Sequence, residues 1–129
     1  MPEMLIGGEW RGAAASAELE VVNPDTPFTR ACSAGERLSI PAKHAWGRFY
    51  AEPQTLQAMD DGGQVVLRYA AGHNFNGSAR DIAGVCNERG NVFGLMPHPE
   101  HAIEELTGGS ADGMKIFHSM RLALEGARA

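Results

Sequence analysis

The chain has 129 residues, a formal net charge of −5 and an isoelectric point near 5.5, which fits one domain and argues against nucleic acid as the main partner. No apolar run approaches the roughly 18 residues that span a bilayer, and residues 1–8 lack the basic region of a signal peptide, so no membrane partner is expected. Leu, Ile, Val and Phe make up only 25 residues, close to the roughly 20% below which a core becomes thin. Two cysteines do not make a disulfide framework, and the cytoplasm is the default compartment.

In chain order, the small residues from Gly12 to Ala17 read as the end of a flexible entry segment, residues 1–17. Residues 18–22 alternate polar and apolar and stop at Asn23-Pro24, a strand followed by a turn. Asp25-Thr26-Pro27-Phe28 can open a short helical turn. A second strand begins at Leu38, and Pro41 places it at an edge or a bulge, since proline cannot donate to a ladder. Residues 52–59 predict a short helix with Pro53 early in its first turn. Asp61-Gly62-Gly63 is a turn, and Gln64 to Tyr69 is a β-branched and aromatic strand.

Asn76-Gly77 signals a tight turn. Residues 82–86 and 92–96 are two apolar runs separated by Asn87-Glu88-Arg89-Gly90-Asn91, the pattern of a hairpin of buried strands. A final helix is expected with Ser110 as its N-cap. Strands with helices between and after them favour an α/β class.

The second run of the hairpin stops at Pro97-His98-Pro99-Glu100. An imidazole can take a proton from a nucleophile. A carboxylate bonded to its other nitrogen sets the tautomer and stabilises the imidazolium. Flanking prolines stiffen the backbone, as a general base requires if it is to stay within reach of its target. His-x-Glu by spacing alone is more often a solvated loop.

The wider context carries more. Asn76-Gly77-Ser78, the run Asp81 to Asn87, the run Gly90 to Glu100, and Asp112-Gly113 resemble the glutaminase subunits of phosphoribosylformylglycinamidine synthase, in the class I glutamine amidotransferase family. Asn23-Pro24-Asp25-Thr26-Pro27-Phe28-Thr29 and the strand from Leu38 fit the same family. The resemblance runs collinearly from about residue 18 to 120. It implies the C-terminal half of a flavodoxin-like domain, a mixed sheet with flanking helices, over residues 18–129. It also implies hydrolysis of glutamine to glutamate and ammonia, with the ammonia passed to a large ATP- and magnesium-dependent synthetase subunit and a small accessory subunit completing the complex. His98 and Glu100 take the places of the histidine and glutamate of a Cys–His–Glu triad. No cofactor and no metal is expected on this chain itself.

The family's nucleophile lies on a G-x-C-x-G elbow, where small neighbours allow a strained strand-to-helix turn. Gly84-Val85-Cys86-Asn87-Glu88 matches only its first half, and Cys86 reads as a small buried strand residue. Cys32 lies in a polar turn region with no elbow. The chain is therefore expected to be inactive alone. The alternative is a non-catalytic α/β remnant that serves as a binding module or self-associates through an exposed sheet edge. Two departures from the family pattern stand out. His44-Ala45-Trp46-Gly47 occupies the place of His-Gly-Glu-Gly, and Phe75 replaces a proline; both aromatics are expected to cover exposed core. Thr107-Gly108-Gly109-Ser110 lacks the lysine of a phosphate loop. Of the five histidines, His98 and His101 are three apart, but Pro99 between them disfavours a helix through both, and His118 is expected on the final helix.

Overall fold

The structure, a computed structural model, describes residues 3–6, 9–12, 15–42, 48–74, 77–104 and 110–128, and side chains from residue 17 to 126 within those spans. Trp46 and Phe75, with His44, Asn76 and Thr107-Gly108-Gly109, lie outside the described residues. Strands β1 (Glu3–Ile6) and β2 (Glu9–Gly12) form an antiparallel pair. The main sheet has five strands: β3 (Ala15–Val21), β4 (Arg37–Ala42), β5 (Val65–Tyr69), β6 (Ile82–Cys86) and β7 (Phe93–Leu95), in spatial order β4-β3-β5-β6-β7. Helix α1 spans Pro53–Asp61 and helix α2 spans Met114–Arg128. The α/β class expected from the sequence holds. Every pairing among the described residues is antiparallel, so these residues supply no parallel part of a mixed sheet.

The elements follow their chemistry closely. Pro53 stands in the first turn of α1, where a missing N–H costs nothing. Gly63 ends the turn after α1 at φ 72°, a left-handed conformation that glycine adopts without strain. The hairpin of β6 and β7 forms as the two apolar runs predicted, but only β6 is largely buried: no residue of β7 is fully buried and Val92 before it is exposed. Its loop is held by the Asn87 side-chain carbonyl, which accepts from the N–H of Asn91 and of Val92, both at 2.9 Å. Gly84 on β6 leaves room for the neighbouring side chains: a Cβ there would come within 3.1 Å of Leu95 and 3.2 Å of Phe93.

Two expectations are corrected here. Ser110 does not cap the last helix, because α2 starts at Met114 and the Ser110 hydroxyl donates to the Ser39 carbonyl at 2.6 Å instead. Asp25 to Phe28 forms turns rather than a helix. There the paired hydroxyls of Thr26 and Thr29 are buried at 2.7 Å from each other, and Thr29 Oγ1 donates to the Asn23 carbonyl.

The sheet curls. A flat five-stranded sheet would separate its outer strands by roughly 19 Å at about 4.8 Å per strand. Yet His98, three residues beyond the end of β7, donates its backbone N–H to Pro41 on β4 at 2.8 Å. Three residues reach at most about 10 Å, so the two edges must approach each other. The curl encloses a core of Leu19, Val21, Leu38, Ile40, Val66, Leu67 and Ala83, with Phe93 and Leu95 packed against it. Cys32 lies at a turn, as expected, but the turn carries its side chain into this core, where it is buried. Cys86 is buried on β6, as predicted. A smaller cluster of Leu56, Val65 and Ile82 seats α1. Helix α2 is held by Ile116, which is buried in the main core, and by Ser119, whose hydroxyl accepts from the Ala31 N–H at 2.9 Å and donates to the Lys115 carbonyl. Among the described residues no helix is long and apolar enough to cross a membrane.

Candidate functional site

β7 ends at Leu95, and Pro97 is fully buried two residues later, which fixes the point where the chain leaves the sheet. Pro99 to His101 then closes a single 3₁₀ turn, with the His101 N–H donating to the His98 carbonyl and the Ala102 N–H to the Pro99 carbonyl, both at 3.0 Å. Ala102 is completely buried, so the turn is pinned at both ends. His98 itself has extended backbone angles and its N–H is taken by Pro41.

On this turn His98 Nδ1 and Glu100 Oε2 are 3.0 Å apart. The hydrogen bond from the imidazole holds the Glu100 carboxyl below the usual carboxylate range, opposed by partial burial. Glu100 is more than half exposed and His98 about a quarter, so the carboxylate faces water while the ring lies deeper. With Nδ1 engaged by a carboxylate, Nε2 points to the opposite side of the ring. That is the arrangement in which a carboxylate orients an imidazole for proton exchange through Nε2, an atom that is buried from solvent in this structure. Both sequence-predicted residues are therefore brought together, in the relation the spacing suggested.

His101 joins them through space. Its ring stacks on that of His98, with centroids 5.2 Å apart and planes 10° from parallel. One nitrogen of each ring and a Glu100 oxygen lie within 4.8 Å of one another, a grouping able in principle to take a cation. The geometry favours the proton relay over the metal. Ligand atoms around a tetrahedral zinc stand about 3.3 Å apart and their lone pairs converge, whereas parallel stacked rings aim theirs side by side.

The turn is braced by residues to which the sequence reading gave other roles or none. β4 is an edge strand, and its outward backbone groups need partners. Ser39 N–H donates to Asp112 Oδ2 at 2.8 Å, the Ser39 carbonyl accepts from Ser110, and the Pro41 carbonyl accepts from His98. Gly113 packs so tightly on the turn that a Cβ there would stand 2.1 Å from the Pro99 carbonyl oxygen, and its own N–H donates to Ala102 at 3.0 Å. The dipeptide Asp112-Gly113 was the only signal in the sequence for this brace.

Neither described cysteine is a prepared nucleophile. Burial pushes the Cys32 thiol up, helped by the nearby Glu36 carboxylate, and burial alone pushes the Cys86 thiol up, so both stay protonated at neutral pH. Of the other histidines, His73 Nδ1 accepts from the Glu18 N–H at 3.2 Å and His118 lies beside Arg121 on the exposed side of α2.

The family model described as the CobB/CobQ-like glutamine amidotransferase domain matches residues 13–121. The chain is 54% identical over 101 residues to the phosphoribosylformylglycinamidine synthase subunit PurQ of Corynebacterium efficiens, a match covering 78% of this chain and 44% of that one. It is likewise 54% identical over 102 residues to the PurQ subunit of Rhizobium meliloti, covering 79% and 45%. Among solved structures it resembles a chain of the PurLQS structure from Thermotoga maritima, with a TM-score of 0.73 and 47% identity, covering 86% of this chain and 47% of that chain. The chain thus spans a little under half the length of the relatives it matches.

Proposed function

The chain belongs to the CobB/CobQ-like glutamine amidotransferase domain family, and we propose that it is the histidine–glutamate half of a glutaminase that feeds ammonia to phosphoribosylformylglycinamidine synthase. The observation that carries this reading is the 3.0 Å contact of His98 Nδ1 with Glu100 Oε2 on a turn framed by Pro97 and Pro99. In the reaction, a cysteine from outside this sequence, neither Cys32 nor Cys86, gives its proton to His98 Nε2 and attacks the side-chain amide carbon of glutamine. The carbon–nitrogen bond breaks as His98 returns the proton to the departing nitrogen. Ammonia leaves and a thioester remains, which water then hydrolyses to glutamate. Glu100 does not take the proton; it holds the ring in the right tautomer and steadies its positive charge.

The PurQ and PurLQS relatives support a large synthetase subunit and a small accessory subunit as partners. ATP and magnesium belong to the synthetase in this reading, and the setting is the cytoplasm. The buried, protonated state of Cys32 and Cys86 supports inactivity of the chain alone. The test is ammonia release from glutamine. The isolated chain should release none. Adding the cysteine-bearing remainder of a relative should start the reaction, and His98→Ala should stop it. Ammonia from the isolated chain, with a glutamyl adduct on Cys86, would overturn the proposal.

A further inference from the structure

The 3₁₀ turn at Pro99 to His101 brings round its chain in three residues, so side chains three apart stand over one another, where the wider α-helical turn would stagger them. His98, at the cap of the turn, and His101 are such a pair. Pro99 opens the turn, where proline has no helical hydrogen bond to forfeit. The result is the near-parallel stack of the two rings, 5.2 Å between centroids. His101 is held in it by the backbone on both sides. Its own N–H is spent on the His98 carbonyl, the Ala102 N–H on the Pro99 carbonyl, and the Ala102 carbonyl accepts from Gly113. Two further observations separate this stack from ordinary packing. Glu100, which holds His98 through Nδ1, is more than half exposed, so water competes for its oxygens. A ring tied at one nitrogen can also still turn about its last, broad torsion. His101, for its part, keeps Nδ1 buried with no hydrogen-bond partner among the described residues. A buried polar atom left unpaired costs stability. What the position uses is the flat face of the ring, not the bonding capacity of that nitrogen.

We propose that His101 is a positioning residue for the proton-transferring imidazole: its ring is a wall that fixes the plane of His98, so that Nδ1 stays on Glu100 and Nε2 stays aimed at the reacting atoms. This role rests on the reading of His98 and Glu100 as a base and its orienting carboxylate. His101 takes no proton in it and acts only through the ring of His98. Glu100 fixes which nitrogen carries the proton, and the stack fixes where the other nitrogen points. The second restraint matters because a misplacement of about 1 Å can cost roughly a hundredfold in rate.

Three substitutions test the role. His101→Phe keeps a flat ring, His101→Leu keeps apolar bulk without a flat face, and His101→Ala removes both. Long-range proton–nitrogen spectra of the folded chain at neutral pH read the His98 tautomer directly. The parent and His101→Phe should hold the proton on Nδ1. His101→Leu and His101→Ala should show a mixture of both tautomers while still unfolding cooperatively in urea. Should His101→Ala fail to fold, His101→Leu, which keeps the bulk, still decides. With the cysteine-bearing remainder of a relative added, kcat for ammonia release should fall about tenfold in His101→Leu, KM for glutamine should hold, and His101→Phe should keep the parent rate. A His98 tautomer unchanged in His101→Leu, or a His101→Phe chain as impaired as His101→Leu, would overturn the role. If the parent releases no ammonia but His101→Leu still mixes the tautomers, the positioning stands and the proposed reaction fails. If the parent releases ammonia and His101→Leu keeps both rate and tautomer, the reaction stands and the positioning fails.

Discussion

His98 donates its backbone N–H to the carbonyl of Pro41 across 57 positions of sequence, and this 2.8 Å bond ties the candidate general base to the far edge of the sheet. Proline lacks a donor but keeps its acceptor, so Pro41 at the edge of β4 offers a carbonyl without demanding a partner for an N–H. The imidazole thus inherits the rigidity of both outer strands, β4 through this bond and β7 through the short lead from Leu95.

Among the described glycines, Gly113 has the least room for a Cβ. Gly113→Ala should force the Pro99 carbonyl away, at a cost of about 1–3 kcal/mol for overpacking against backbone, because a Cβ would stand 2.1 Å from that oxygen. Urea unfolding measures the loss. The His98 ring resonances should shift in the same variant, while those of His73 should not. An alanine variant as stable as the parent would show that the turn and α2 are not locked together.

Asp112 supplies the acceptor for the Ser39 N–H on the sheet edge. Asp112→Ala leaves that donor without its partner and should cost about 1–3 kcal/mol. Asp112→Asn keeps a carbonyl oxygen of the same shape and should cost distinctly less. Equal losses in the two variants, by thermal or urea unfolding, would show that charge rather than the hydrogen bond matters.

The hydrogen bond from His98 lowers the Glu100 carboxyl relative to its value of about 4.3 in an unfolded chain. A depressed carboxylate contributes stability that is present above the unfolded value and is lost as the pH falls through the folded value. The urea midpoint should therefore decline below about pH 4.3, and Glu100→Gln should remove part of that decline. The effect is small because Glu100 is largely exposed to solvent. Identical pH profiles for parent and variant would remove Glu100 as a contributor.

Both thiols are raised by burial, and the thiolate is the form that reacts. Cys32 and Cys86 should label slowly with a disulfide reagent at pH 7.5 in buffer and rapidly in denaturing urea. Prompt labelling of Cys86 in the folded chain would reopen its candidacy as a nucleophile.

Local chemistry was enough to read several elements from residue order. Alternation gave β3, β-branched residues gave β5, Pro53 gave the start of α1, and Asn87 to Asn91 gave the β6–β7 hairpin. The pair of His98 and Glu100 was readable through the resemblance of the surrounding run to a known family, since the spacing alone is more often that of a solvated loop. These are all contacts between near neighbours, where backbone geometry decides. Ser110 was misread for the complementary reason. A serine ahead of an apolar run is a good cap by local rules, but Ser39, 71 positions earlier, offered a carbonyl on an open edge and took its hydroxyl. The same holds for the burial of Cys32, the bracing by Asp112 and Gly113, and the bond from His98 to Pro41. By itself, then, the sequence determined most elements from residue 18 onward, the family and the chemical pair, but not the strands β1 and β2 or the start of β3, which fall in the stretch read as a flexible entry segment. Only the tertiary structure decided how the sheet curls, which backbone groups on its edge are capped, and which face of α2 is buried. Those outcomes depend on groups far apart in the chain competing for one another, and no local pattern records the result of that competition.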